Sequence, residues 1–166
     1  MKAVTCTKSE LTVEDVELPA LEPGQLLLDV VRCGICGSDL HARHHSDALA
    51  DIAAEIGYDG IMRSSDRVVL GHEFSGIVVE RGKGSRLAEG TTVVSFPLLR
   101  RGKAVHATGL SAHAPGGYAE RVAVAARHAY RLPDAVDGRH GALVEPLAVG
   151  LHALHRSELR AGDDVL

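Results

Sequence analysis

Three separated stretches carry residue types that bind metal ions or act as acids and bases. The first is "CGICGSD", in which Cys33 and Cys36 are followed at once by a serine and an aspartate. The second places His72 beside Glu73, and the third places Glu145 directly before a proline. Thiolate, imidazole and carboxylate groups bind zinc, and a catalytic zinc takes three protein ligands and keeps one position open. An open catalytic zinc site is therefore one hypothesis.

The cysteine pair by itself also fits two other kinds of site. A thioredoxin-like redox pair would lie at a helix start within a βαβ unit, whereas the surroundings here favour β-strands. A structural zinc site is closed by four ligands. Because Cys6 is the one cysteine besides Cys33 and Cys36, four cysteines cannot supply such a site. A mixed cysteine–histidine site remains open.

Composition places limits on the class of protein. The 166 residues are enough for one hydrophobic core, and 45% of them are hydrophobic and 24% charged. Aromatic residues make up 3% and the formal net charge is −4, which argues against a nucleic-acid partner. The sequence shows no apolar run that predicts a membrane span and no signal peptide, and three cysteines suit a reducing compartment. We therefore expect a cytoplasmic protein.

Short segments rich in β-branched residues predict a mainly β fold with a few helices. Strands are predicted over residues 2–7, 11–18, 25–35, two stretches within 67–82, 91–96 and 116–126. A helical turn is predicted over 37–42, a helix over 46–56, and a last helix over 140–159 that starts or kinks at Pro146. Residues 98–116 are predicted to be a loop, and 81–85 a turn. This pattern favours a small β-barrel or sandwich with helices at its edge.

The ordered set "CGICGSDLH", "GHEFSG" and "EPLAVGLH" resembles the zinc-dependent medium-chain alcohol and polyol dehydrogenases. The resemblance covers essentially the whole chain, and three separated signatures occur in the family's order. It implies a GroES-like β-barrel catalytic domain over residues 1–155. Residues 156–166 would begin a nicotinamide-binding Rossmann domain, whose remainder we expect to be missing, so that the chain is inactive alone.

The resemblance also implies a set of metal ligands. By motif position, Cys36 rather than Cys33 binds one catalytic zinc, and His72 is the second ligand. Glu73 lies next to the metal in the family and is implied as a ligand in some states. Glu145 occupies the place where alcohol dehydrogenases often have a cysteine ligand; this form is similar to the sorbitol and butanediol dehydrogenase branch.

Three further roles follow from the resemblance. Ser38 resembles the hydroxyl that relays the alcohol proton, and His41 resembles the outer end of that relay. Asp39 resembles the carboxylate behind the zinc-binding histidine, where a hydrogen bond to the second ring nitrogen fixes the imidazole. The implied reaction is oxidation of a small alcohol or polyol, or reduction of a carbonyl compound, with hydride transfer to or from NAD or NADP.

The chain also departs from the family pattern. The stretch after "VVSF" lacks the four cysteines of a structural zinc lobe, so we expect no structural zinc and interpret His106 and His113 as solvated loop residues. The segment 43–65 is longer than usual and would either cover the substrate cleft or decorate the surface. His44 and His45 are interpreted as surface residues that could form an adventitious metal site, and His152 and His155 as packing and surface residues.

Two rival functions remain open on sequence alone. One is a zinc-free relative similar to the quinone reductases, against which the joint presence of Cys36, His72 and Glu145 argues. The other is a stand-alone barrel that binds a metal or a partner without catalysis. Neither a membrane nor nucleic acid is expected as a partner, whereas a homo-oligomer is compatible with the sequence.

Overall fold

The architecture was obtained from a computed structural model that describes residues 1–18 and 20–164. It is mainly β with a few helices, as predicted. The strands and α-helices are β1 Lys2–Thr7, β2 Glu10–Asp15, β3 Gln25–Cys33, α1 Gly37–Glu55, β4 Val68–Val69, β5 Phe74–Arg81, β6 Thr92–Ser95, β7 Leu98–Arg101, β8 Ala104–Ala107, β9 Arg121–Ala125, β10 Ala129–Arg131, α2 Gly138–Gly141 and α3 Val144–Arg156. Among these helices, none is long and apolar enough to cross a membrane.

A five-stranded antiparallel sheet forms the centre of the fold. Its strand order is β10-β6-β5-β3-β9, so β3 lies between β5 and β9. The continuous apolar run of β3 explains this central position, because Leu26, Leu27 and Leu28 are all buried. Leu26 and Leu28 pack with Phe74 and with valines of β5, β6 and β9 to form the main core. Burial of each such side chain contributes about 1.5–3 kcal/mol.

A second, three-stranded sheet has the order β2-β1-β4 and holds α1 in place. Cys6 of β1 and Val68 of β4 are buried against Ala42 of α1, together with Met62 and Leu70. This cluster fixes α1 beside the segment that runs from β4 to β5. The start of α1 and the segment 70–73 are therefore held close together, and both carry candidate ligands.

Helix α1 joins two elements that the sequence predicts separately. The predicted turn at 37–42 and the predicted helix at 46–56 are continuous over Gly37–Glu55, with one interruption at His45, where φ is −132° and ψ is 26°. The second half is tied to the following segment, since Asp51 pairs with Arg63 at 2.6 Å and Asp47 accepts the backbone N–H of Ser64. The predicted helix within the segment 43–65 is therefore present.

One prediction needs correction, and the prediction for the last helix is confirmed at its start. The segment 98–116 contains the hairpin β7–β8 rather than an irregular loop, because Leu99 is fully buried with Ala114 and Ala123 and anchors the hairpin to the body of the protein. A lone buried leucine gives no periodic signal, so the sequence did not reveal it. The last helix, α3, starts at Val144, near Pro146 as predicted, and α2 is a separate short turn before it. Pro146 is the third residue of α3, where its missing N–H has no partner to lose.

Candidate metal centre

Cys36, His72 and Glu73 converge at the edge of the central sheet. Cys36 is the residue that caps the start of α1, and the other two directly precede β5. The end of β3 pairs with the start of β5, and the Gly34 N–H donates to the Glu73 carbonyl oxygen at 2.7 Å. As a result, one potential ligand atom from each of the three side chains lies within 4.8 Å of the others. Within the described residues, this is the group of three or more such side chains that could hold a metal ion.

The glycines of the motif allow this close approach. Gly71 has φ of +96°, and a Cβ there would lie 2.5 Å from the ring of Tyr118 and 2.9 Å from Cys33 Sγ. A Cβ at Gly34 would overlap the Glu73 carboxylate. Any larger residue at either position would push the backbone or the candidate ligands apart, so these glycines shape the centre.

Asp39 lies behind His72 and is the most heavily hydrogen-bonded side chain of the site. Its side chain is 1% exposed, and Oδ1 lies 3.2 Å from Nδ1 of His72 and accepts the Gly71 N–H. Oδ2 accepts the Cys36 N–H at 3.0 Å and the Tyr118 hydroxyl at 2.8 Å. Asp39 thus connects the segment that carries Cys36 to the segment that carries His72. The sequence predicted Asp39 as the carboxylate behind His72. It gave no sign of Tyr118, because nothing in "GGYAE" predicts contact with a residue 79 positions earlier.

This network sets the charge of the histidine and the aspartate. Burial opposes a charge on His72, but the hydrogen bond and charge of Asp39, with a smaller contribution from Cys36, raise the pKa of His72 to about 9. Burial also disfavours the Asp39 carboxylate, yet the donors from His72, Cys36 and Tyr118 keep the pKa of Asp39 below its usual value. With Nδ1 engaged by Asp39, Nε2 of His72 is the atom left to bind a metal.

The two cysteines of "CGICGSD" lie in different surroundings. Cys33 points toward Gly71 and Gly117, whose added Cβ atoms would lie 2.9 and 3.0 Å from its sulfur. Burial, reinforced by the negative charges of Asp39 and Glu73, raises the pKa of Cys33 to about 12. Because a metal binds the thiolate, this environment disfavours Cys33 as a ligand. The geometry groups Cys36 with His72 and leaves Cys33 outside the group.

Glu145 lies near the centre but outside the three-residue group. It is half-buried in the first turn of α3, and burial raises the pKa of its carboxyl group. His72 lowers that pKa, while the charges of Glu73 and Asp39 raise it further. The carboxyl group is therefore within electrostatic reach of the centre although it does not join the 4.8 Å cluster.

The two residues assigned to the proton relay are placed unequally. Ser38 Oγ lies 3.2 Å from Nε2 of His72, directly at the candidate metal-binding atom. His41 is exposed, three residues further along α1, and its ring lies beside that of His45. Among the described residues, Ser38 and His41 share no direct hydrogen bond.

The remaining histidines have other environments. His106 is buried rather than solvated, which corrects the sequence interpretation: it lies within β8 of the hairpin, and its Nδ1 lies 3.2 Å from Ser111 Oγ. His113 is exposed as predicted, with its ring centroid 5.0 Å from that of His106. His155 is exposed, and His152 lines a mostly apolar cavity of about 550 Å³ that Glu145 also borders.

Comparison with known proteins decides the family. The family model described as the alcohol dehydrogenase GroES-like domain matches residues 22–134. This chain belongs to that family. It therefore has the GroES-like fold that the resemblance implied, and its relatives are zinc-dependent medium-chain dehydrogenases.

Individual relatives agree with this assignment. The chain is 35% identical to (R,R)-butanediol dehydrogenase of Bacillus subtilis, over 94% of the chain and 47% of the relative, and 32% identical to sorbitol dehydrogenase of Gallus gallus, over 94% and 44%. The crystal structure of 2R,3R-butanediol dehydrogenase from Bacillus subtilis superposes with a TM-score of 0.80 at 34% identity, covering 98% of this chain and 49% of that one. The chain thus spans about half the length of the relatives it matches.

Proposed function

We propose that this chain is the catalytic domain of a zinc-dependent alcohol or polyol dehydrogenase. The observation that carries the proposal is the convergence of Cys36, His72 and Glu73 within 4.8 Å, with the Asp39 carboxylate behind the histidine. A sulfur, a nitrogen and a carboxylate oxygen form a donor set that suits zinc. The buried aspartate supplies the carboxylate that usually orients a zinc-binding histidine.

Cys36 and His72 are the two ligands on which the proposed centre depends. Glu73 is the nearest third donor, and Glu145 is a fourth that would have to move toward the group or act through a water molecule. One catalytic zinc is proposed and no structural zinc, since the hairpin β7–β8 and the residues after it contain no cysteine. A zinc ion held at this centre would supply Lewis-acid polarisation of the substrate oxygen.

The side chains around the centre would handle the proton. Ser38 Oγ, at 3.2 Å from Nε2 of His72, is positioned to accept a hydrogen bond from an alcohol hydroxyl at the centre and to carry its proton outward. His41 is exposed on the same helix and is proposed as the outer acceptor, reached through the substrate or a water molecule. Asp39 holds His72 in one tautomer throughout.

Substrate and cofactor follow from the relatives and from the cavity beside Glu145. Relatives are named butanediol and sorbitol dehydrogenases, and one solved relative from Sinorhizobium meliloti is bound to NADP. We propose a small alcohol, diol, polyol or corresponding carbonyl compound as substrate and NAD or NADP as hydride carrier. Val94, Phe96 and Val149 would contact the carbon chain of the substrate.

The proposed division of the chain places the catalytic domain at residues 1–155 and the start of a nicotinamide-binding domain at 156–166. The outward face of α3 suits this division, because Leu147, Leu151 and Leu154 are each more than half exposed. Such a face favours packing against the cofactor-binding domain or a second copy of the chain. The cytoplasm is the proposed compartment, where the three free cysteines would remain reduced.

A cobalt-substituted protein tests the proposal. Cobalt bound by Cys36 gives a thiolate charge-transfer absorption and visible bands that respond to a change in the open coordination position. We expect 2,3-butanediol or sorbitol to shift these bands in the wild-type chain, and Ser38→Ala to weaken that response. Absence of any shift at saturating concentrations of several diols and alcohols would contradict a dehydrogenase centre.

A further inference from the structure

Three exposed histidines lie together on α1, away from the proposed catalytic ligands. His41, His44 and His45 fall within five residues, and the helical conformation is interrupted at His45. The ring centroids of His41 and His45 are 4.8 Å apart with an interplanar angle of 42°, whereas those of His44 and His45 are 6.5 Å apart. The 4.8 Å separation shows that the rings of His41 and His45 lie side by side despite this interruption.

The ring nitrogens of this pair are available for binding. Among the described residues, the histidines whose rings form hydrogen bonds are His72, His106 and His128. Two nitrogens that bind one zinc lie about 3 Å apart, since each zinc–nitrogen bond is about 2.0–2.1 Å long. Rings whose centroids are 4.8 Å apart reach this separation by rotating about their side-chain bonds, without a backbone change.

The surroundings do not oppose a cation. Arg43, the nearest positive residue in sequence, is engaged elsewhere, because its Nε donates to the Ser9 carbonyl oxygen at 2.6 Å. Asp47 lies two residues after His45 and is exposed. Water would complete the coordination of an ion at this solvent-facing position.

We propose that His41 and His45 form a second metal site, which binds one divalent transition-metal ion of the zinc, nickel or copper class. Imidazole suits these ions, and two neutral imidazoles hold one at the surface more weakly than a buried site with a thiolate. The site shares no ligand with the centre formed by Cys36, His72 and Glu73.

Occupation of this site has a consequence that rests on the proposed function. His41 is the proposed outer proton acceptor, and an ion on its ring nitrogen would remove the lone pair that accepts the proton. Excess zinc would then slow turnover, and the surface site would act as an inhibitory metal site.

Equilibrium dialysis against Zn²⁺, with elemental analysis of the chain, tests the binding claim. We expect the wild-type chain to take up a second, weaker ion, and His45→Ala to lower the affinity for that ion at least about tenfold. His44→Ala is the matched control and should retain it, whereas Cys36→Ala should lose the tight ion and keep the weaker one. Equal affinity in wild type and His45→Ala, or equal loss in His44→Ala, would overturn the two-histidine site.

The inhibitory role has its own readout. In the active dehydrogenase, excess Zn²⁺ should inhibit the wild type, and His45→Ala should relieve that inhibition with the basal rate unchanged. Inhibition that persists in His45→Ala would refute the link to the proton relay. Because the dialysis measures binding alone, failure of the proposed dehydrogenase activity would leave the result on the second site unaffected.

Discussion

Replacement of Asp39 by asparagine perturbs the network that holds the proposed metal centre together. Four donors surround the carboxylate, two on each oxygen: His72 and the Gly71 N–H on one, and the Cys36 N–H and Tyr118 hydroxyl on the other. In Asp39→Asn, one carboxylate oxygen is replaced by an NH₂ group, which donates and cannot accept. Whichever way the amide is turned, one of these two pairs of donors loses its acceptor. The substitution also removes the charge that supports His72.

The magnitude follows from this geometry. Each buried donor left without an acceptor costs about 1–3 kcal/mol, so Asp39→Asn should lower the free energy of unfolding by about 2–5 kcal/mol. Loss of the carboxylate behind a zinc-binding histidine lowers metal affinity about 10–100-fold. Tyr118→Phe removes one donor and keeps the charge, so it should cost about 1–2 kcal/mol of stability and change zinc affinity less than tenfold.

Zinc affinity is measured by competition with a coloured chelator, and stability by urea unfolding followed by circular dichroism. Measuring affinity under conditions where each variant remains folded separates the two effects. A folded Asp39→Asn protein with wild-type zinc affinity would refute the role of Asp39. An effect of Tyr118→Phe as large as that of Asp39→Asn would show that the hydrogen bond, rather than the charge on His72, dominates.

Three further outcomes are expected. In the metal-free protein, iodoacetamide at pH 8 should label Cys36 and leave Cys33 unmodified, as read by peptide mass spectrometry, because the Cys33 thiol has a pKa of about 12 and remains protonated; bound zinc should protect Cys36. Zinc affinity should rise with pH up to about 9 by at least about tenfold per unit, since zinc displaces the proton that His72 otherwise binds with a pKa of about 9 and also requires Cys36 as a thiolate. Gly71→Ala should lower the unfolding free energy by about 2–4 kcal/mol, because φ is +96° and Tyr118 fills the space, whereas the control Gly150→Ala should raise it by up to about 1 kcal/mol.

Each of these outcomes has a clear contrary result. Faster labelling of Cys33 than of Cys36 in the metal-free protein would contradict the buried, protonated state of Cys33 on which its exclusion as a ligand rests. Zinc affinity that stays constant between pH 6 and 9 would mean that His72 carries no proton in the metal-free protein. A Gly71→Ala protein as stable as Gly150→Ala would show that the segment before β5 tolerates a side chain.

Much of the fold could be predicted because the sequence contains strong local signals. The apolar run of β3 predicted a central buried strand, and the capped segment 46–56 predicted the second half of α1. The hairpin β7–β8 was missed because Leu99 is its one buried apolar side chain, whereas Leu98 is half-buried and Val105 is exposed, so no alternation of buried and exposed residues marks its strands. Tertiary burial, rather than local propensity, decides its structure.

The site was predictable only as far as its residues occur in motifs. Cys36, Asp39 and His72 lie in contiguous signatures, and the structure brings them together. Tyr118 contributes to the same network from a segment that shows no signature, because a hydrogen bond across 79 residues depends on the tertiary packing of the chain and not on local spacing. For the same reason, the sequence could not show that Glu145 lies outside the three-residue group.

The zinc content of the purified chain tests the central claim most directly when wild type, Cys36→Ala and Cys33→Ala are compared after dialysis against a weak chelator. The account predicts about one tightly bound zinc in the wild type and in Cys33→Ala, and none in Cys36→Ala. No zinc in the wild type, or equal loss of zinc in both variants, would contradict a metal centre built on Cys36 and His72.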